Sequence, residues 1–268
     1  MRRRRVNSKK FARFIIAILF TAALTFGIVS SCINQTERTI KIGLSESSRP
    51  LTYVDDRRNI SGFEAEYARL LAEALGKKPE IKLYKPEYMA DALDSGEIDC
   101  VVSVRQSVHD YIAGAYETAP FIAYGLVFIV APSDGEIGGE EDIRGKRAGL
   151  IINSDAEFLC EELLSKYAFN VRLYDFEVQP FNDLKLKKND FVIADEVFAR
   201  YMQKEDPDSY LVLDTVYNMA DYGVRLSRKM TRQAMNDVEN AVHEMGSEVA
   251  LMDLFVRWFG ADLGYIGG

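Results

Sequence analysis

The chain has 268 residues, 48% of them hydrophobic, enough to bury a sizeable core and to divide into two lobes. Its 33 Lys and Arg against 41 Asp and Glu give a formal net charge of -8; seven of the bases precede Cys32, so the remainder sets 26 bases against 41 acids. Such a body offers no basic face to nucleic acid. With only His109 and His243, far apart in the chain, it promises no His-based metal site, and it has no phosphate-binding glycine loop and no nucleophile elbow. No metal or cofactor is expected.

The N-terminus is a positive segment (Arg2, Arg3, Arg4, Arg5, Lys9, Lys10 and Arg13) followed by an apolar stretch over 14–29. That stretch falls short of the about 20 residues a membrane span needs. Val29-Ser30-Ser31-Cys32 comes next. Small residues ahead of a Cys, directly after the apolar run, resemble a bacterial lipoprotein signal. The resemblance implies cleavage before Cys32, lipidation of that residue and a place on the outer face of the cell membrane. An uncleaved helical anchor or an ordinary signal peptide is the alternative. Residues 33–38 then form a short polar tether.

Ile40, Ile42 and Leu44 alternate as a first strand. Phe63, Tyr67, Leu70, Leu71 and Ala74 recur with helical spacing, which leaves Glu64, Glu66, Arg69 and Glu73 to water. Gly76 stands where a helix end favours a left-handed residue. Ile81, Leu83 and Tyr84 suggest a strand, 88–93 a helix stopped near Gly96, and Cys100, Val101, Val102 and Val104 a buried parallel strand. The order β-α-β-α-β predicts an α/β lobe with a mostly parallel sheet.

A long apolar strand follows over 121–130, then a loop over 132–139 and a new β-α unit entered through 141–151. Asn153, Ser154 or Asp155 caps a helix over 156–167. Strands are expected at 171–176, 191–194 and, briefly, 211–213, with a helical turn at 182–187 and a helix after Asp195 and Glu196. Residues 222–226 return to the first lobe, and two amphipathic helices close the chain. If Cys32 is lipidated, Cys100 and Cys160 are expected as two free, buried thiols.

Gly62-Phe63-Glu64-x-Glu66, the helix ending Ala74-Leu75-Gly76, Ala92-Leu93-x-Ser95-Gly96-Glu97-Ile98-Asp99 before an apolar strand, and Arg257-Trp258-Phe259-Gly260 resemble, in order and spacing, the bacterial extracellular solute-binding proteins of family 3. The likeness spans about 39–260. It implies a two-lobed periplasmic-binding-protein-like fold of type II, with a ligand in the cleft between lobes, at the carboxyl ends of strands. The resemblance divides the elements into a first lobe of 39–120 plus 223–263 and a second of 126–217, with hinges at 121–125 and 218–222. In that family an Asp after a second-lobe strand takes the ligand ammonium, an Arg in a Thr-Pro-Glu-Arg-like turn takes the carboxylate, and a helix N-terminus assists.

Asp195, after Val192-Ile193-Ala194, matches the ammonium-binding Asp; capping the following helix is its other role. The place of the Arg falls on Tyr111, after His109 and Asp110, and the Thr of that turn becomes Gln106. The family's stacking aromatic falls on Ser48, flanked by Arg49, and the Asp ending the first strand falls on Ser45. Asn153-Ser154-Asp155 stands where Gly-Thr-Thr is common, and an Asp there competes with a ligand carboxylate for the same amides. Arg49 or Arg105 is the available replacement cation; Leu51 and Ser103 complete the candidate ligand contacts. The resemblance implies a monomeric, non-enzymatic receptor that passes a small polar solute, amino-acid or amine-like, to an ABC permease. A dehydratase using Asp155, Asp195 or Glu196, and a sensory or interaction lipoprotein without transport, are the alternatives.

Overall fold

Strand β1 (Thr39–Ser45) buries Ile40, Ile42 and Leu44, as its alternation predicts. The computed structural model that contains it describes residues 38–104, 112, 114–133 and 135–264. Cys32, Arg105, Gln106, His109 and Tyr111 lie outside the described residues. β1 pairs in parallel with β4 (Lys78–Tyr84) on one side and β5 (Cys100–Val101) on the other. β12 (Arg225–Leu226) runs antiparallel between β5 and β6 (Tyr116–Glu117) and completes a five-stranded sheet. A small hairpin, β2 (Tyr53–Val54) and β3 (Ile60–Ser61), stands apart from it.

Helix α1 (Phe63–Ala74) covers this sheet, and Gly76 beyond it takes φ 62° as expected. Its buried face is rotated from the one the apolar spacing suggests. Glu64, Ala68 and Ala72 are buried with Phe63, Tyr67 and Leu71, whereas Ala74 is exposed. Glu64 is thus not a solvated residue. Helix α2 (Pro86–Ser95) begins with Pro at its first turn and ends at Gly96 with φ 77°. The last two helices, α6 (Arg232–Met245) and α7 (Val249–Phe259), return to α1. There the Phe63 ring meets Phe259 and Phe255 at 4.9 and 5.3 Å, and Tyr67 stacks on Phe121 at 4.0 Å.

A second five-stranded sheet has the order β11 (Leu211–Tyr222), β7 (Ile122–Val130), β10 (Phe191–Asp195), β8 (Arg147–Ile151), β9 (Asn170–Tyr174). β7 is buried along nearly its whole length because both faces are covered. Leu126, Phe128 and Val130 join helix α3 (Asp155–Lys166) on one face; Val127 and Ile129 join α4 (Gln179–Lys185) and α5 (Glu196–Glu205) on the other.

Both sheets are mixed rather than mostly parallel: in each, two neighbouring pairs run parallel and two antiparallel. In the second sheet the antiparallel partners are β7 and β11, which also connect it to the first. β11 is 12 residues long, not a short strand at 211–213, and two register shifts interrupt its pairing with β7. Cys100 and Cys160 are free and buried, and burial raises both thiols, Cys160 to about 11. Among the described residues no helix is long and apolar enough to cross a membrane.

Candidate functional site

The loop after β1 is built against the start of α1. Gly62 has φ 115°, and a Cβ on it would lie 2.0 Å from the Leu51 carbonyl oxygen, so only glycine lets loop and helix meet. The Pro50 and Leu51 carbonyls accept the Phe63 and Glu64 amides at 2.9 and 3.2 Å, satisfying two donors that a helix start leaves open. The buried Glu64 carboxylate accepts the Thr52 hydroxyl at 2.5 Å and the Val104 amide at 2.9 Å. The Gly-Phe-Glu segment therefore fixes a loop and the exit of β5 together.

Ser45, at the end of β1, and Ser48, Arg49 and Leu51, from this loop, line a cleft of about 1220 Å³ between the two sheets. Asn153 and Ser154, between β8 and α3, Asp155, the first residue of α3, and Asp195, at the end of β10, line its other wall. Ser103 is not part of the lining. It follows β5 at a point where the Val102 amide still bonds Gly43 in β1, and it is wholly buried. Gln106 and Tyr111 lie outside the described residues.

The sequence reasoning missed much of the wall: Glu46, Asp175, Phe176, Glu177, Phe198, Tyr201 and Glu205, and the floor residues Tyr124 and Tyr222. The two floor tyrosines stack with centroids 5.0 Å apart, and the Tyr124 hydroxyl donates to the Val104 carbonyl. Their signal was their place in the crossing segments, which had been assigned to hinges alone. Phe176 and Glu177 follow β9, and nothing local in the sequence marks that turn as facing a cleft.

A hydrogen bond spans the mouth. The Ser48 hydroxyl donates to Glu177 at 2.7 Å. The Arg49 guanidinium lies 4.2 Å from the Tyr53 ring centroid, and its charge acts on the Tyr201 phenol. Burial still raises the Tyr201 phenol above its ordinary range, with Arg49 opposing.

β8 and β10 are parallel neighbours, so the helices that follow them start on the same wall. Asp155 is the first residue of α3 and Asp195 the N-cap of α5, so each puts a carboxylate at a positive helix end. Neither Ser154 nor Asp195 caps its helix through the side chain. The Ser154 hydroxyl instead donates to the Ile151 carbonyl at 2.6 Å, and Asn153 takes a left-handed φ of 55°. Asp195 is exposed to the cleft rather than buried. Glu196 turns away and is buried against Arg200 at 2.8 Å.

The chain is 28% identical over 227 residues to the L-cystine-binding protein TcyJ of Escherichia coli strain K12, covering 84% of each chain. It is 24% identical over 247 residues to a putative amino-acid ABC transporter-binding protein, PatH, of Vibrio harveyi, covering 88% of this chain and 94% of that one. A solved structure, described as an ancestral cationic amino acid solute binding protein, superposes with a TM-score of 0.74 over 84% of this chain and 97% of the other; at 21% identity that likeness speaks to fold alone. The model of the bacterial extracellular solute-binding proteins, family 3, matches residues 40–261, and with the two-lobed α/β fold and its cleft this makes the chain a member of that family.

Proposed function

We propose that the chain is a lipid-anchored receptor on the outer face of the cell membrane, which captures a small polar solute between its lobes and delivers it to an ABC permease. The observation that carries this is the cleft itself: it is lined from both sheets, its floor is the pair of crossing strands, and its walls mix aromatic and charged groups. The lobes are 39–120 with 223–263, and 126–217. The hinges lie at 121–125 and 218–222, where β7 and β11 pair as a ribbon. The register shift between Tyr217 and Ala220 supports bending there, because an interrupted ladder absorbs twist at low cost. Lipidation rests on Cys32 and the small residues before it, and delivery to a permease on the description of the Vibrio relative.

A thermal-unfolding screen of the full-length chain in detergent, against amino acids and organic amines, tests the receptor assignment. A ligand at 100 times its dissociation constant should stabilise the protein by about 2.7 kcal/mol. The same ligand should reduce the radius of gyration in solution scattering as the lobes close. A screen in which no solute raises the unfolding midpoint refutes the assignment.

A further inference from the structure

Granted that the cleft is the binding site, we infer that its ligand is an organic cation with two or more amino groups and no carboxylate, the class of aliphatic di- and polyamines. Glu46, Asp155, Asp175, Glu177, Asp195 and Glu205 all line the cleft, and Arg49 is the one basic side chain among the described lining residues. A zwitterionic amino acid needs a cation as well as an anion from its receptor. Arg49 is packed over the Tyr53 ring, 4.2 Å from its centroid. The two helix starts that would favour a ligand carboxylate carry Asp155 and Asp195 instead. A carboxylate brought there meets like charge, and an ammonium meets opposite charge.

The carboxylates are spread across the cavity rather than gathered at one point. Glu46 follows β1 on one side; Asp155 and Asp195 follow β8 and β10 on the other; Asp175 and Glu177 follow β9 at the mouth. Glu205, at the end of α5, pairs with Lys204 at 3.3 Å. Aromatic faces line the same cleft, among them Phe176 with 67% of its surface exposed, and Phe198 and Tyr201. Apolar strips between separated anions match methylene segments between separated ammonium groups, and ring faces attract the same cations. A cavity of about 1220 Å³ has room for such a chain.

Calorimetric titration of the full-length chain in detergent with spermidine, 1,4-diaminobutane, arginine, glutamine and cystine tests this. Spermidine should bind at least tenfold more tightly than arginine, with glutamine and cystine weaker still. Asp195→Asn and Glu177→Gln should each weaken spermidine at least tenfold, and added salt should weaken it in the parent. Tightest binding by arginine, glutamine or cystine overturns the inference and leaves the receptor assignment standing. Spermidine binding undiminished in both variants marks non-specific attraction and also overturns it. Binding of no solute overturns both.

Discussion

Replacing Glu64 with alanine should unfold the protein far more readily than a surface reading of the residue allows. Its carboxylate is wholly buried and accepts the Thr52 hydroxyl and the Val104 amide. Alanine leaves both donors without that acceptor in a place water does not reach. Each orphaned buried donor costs about 1–3 kcal/mol, so the loss of both should be about 2–6 kcal/mol. That is a large part of the roughly 5–15 kcal/mol by which domains are stable. Glu64→Gln keeps the shape and one acceptor and should lose about half as much. Urea unfolding followed by circular dichroism measures both, with the slope against denaturant checked for constancy. Thr52→Val closes a double-mutant cycle, and its loss should combine with that of Glu64→Ala non-additively by more than about 0.5 kcal/mol. A Glu64→Ala loss under about 1 kcal/mol, or strict additivity with Thr52→Val, refutes the claim that this carboxylate ties the cleft loop to β5.

Three further outcomes are expected. Cys32→Ala should abolish lipid labelling and leave the precursor unprocessed; unchanged labelling would sink the anchor, which needs several acyl chains to hold stably. Gly125→Ala should lower the thermal midpoint sharply, because a Cβ there would lie 2.2 Å from the Tyr217 carbonyl oxygen and 3.1 Å from the Met219 Cα; an unchanged midpoint would mean that the ribbon yields freely. The hydrogen bond and ion pair from Arg147 hold Asp190 below the ordinary carboxylate range. A depressed carboxyl stabilises the fold above its unfolded value of about 3.9, and that contribution is lost as pH falls through the folded value. Asp190→Asn should therefore be less stable than the parent at pH 7 and lose less on acidification below about pH 4; parallel acid-unfolding curves would contradict this.

The alternation of β1, the caps at Gly76 and Gly96 and the apolar run of β7 were legible because they are local: period, turn chemistry and burial are written in adjacent residues. Glu64 was not. On a helix it shares a face with Ala68 and Leu71, but only the loop over 50–52 and the Val104 amide make that face an interior one, and both come from elsewhere in the chain. β11 was foreshortened for a related reason. Asp214, Asn218 and Asp221 break any strand pattern, and the strand exists because β7 supplies its ladder, bulges included. In the cleft, the positions reached through the resemblance (Ser45, Ser48, Arg49, Leu51, Asn153, Ser154, Asp155 and Asp195) lie together, while Ser103 is enclosed. Asp175, Phe176 and Glu177 carried no signal, because a turn at the end of an edge strand looks alike in the sequence whether it faces solvent or a cavity.

The position of β12 bears on the order in which the molecule is assembled. Every strand of the second sheet is contained within residues 122–222, so that sheet can close as soon as β11 exists. The first sheet cannot: β12 lies between β5 and β6, and Leu254, Phe255 and Phe259 of the final helix complete the interior around Phe63. These contacts join the two ends of the chain, and such distant closures form late and slowly. During synthesis the first sheet and its core therefore remain unfinished until residues 225–259 are made, after every strand of the second sheet is already available. A chain stopped short of Arg225 should retain the protease resistance of 122–222 and lose that of 39–101.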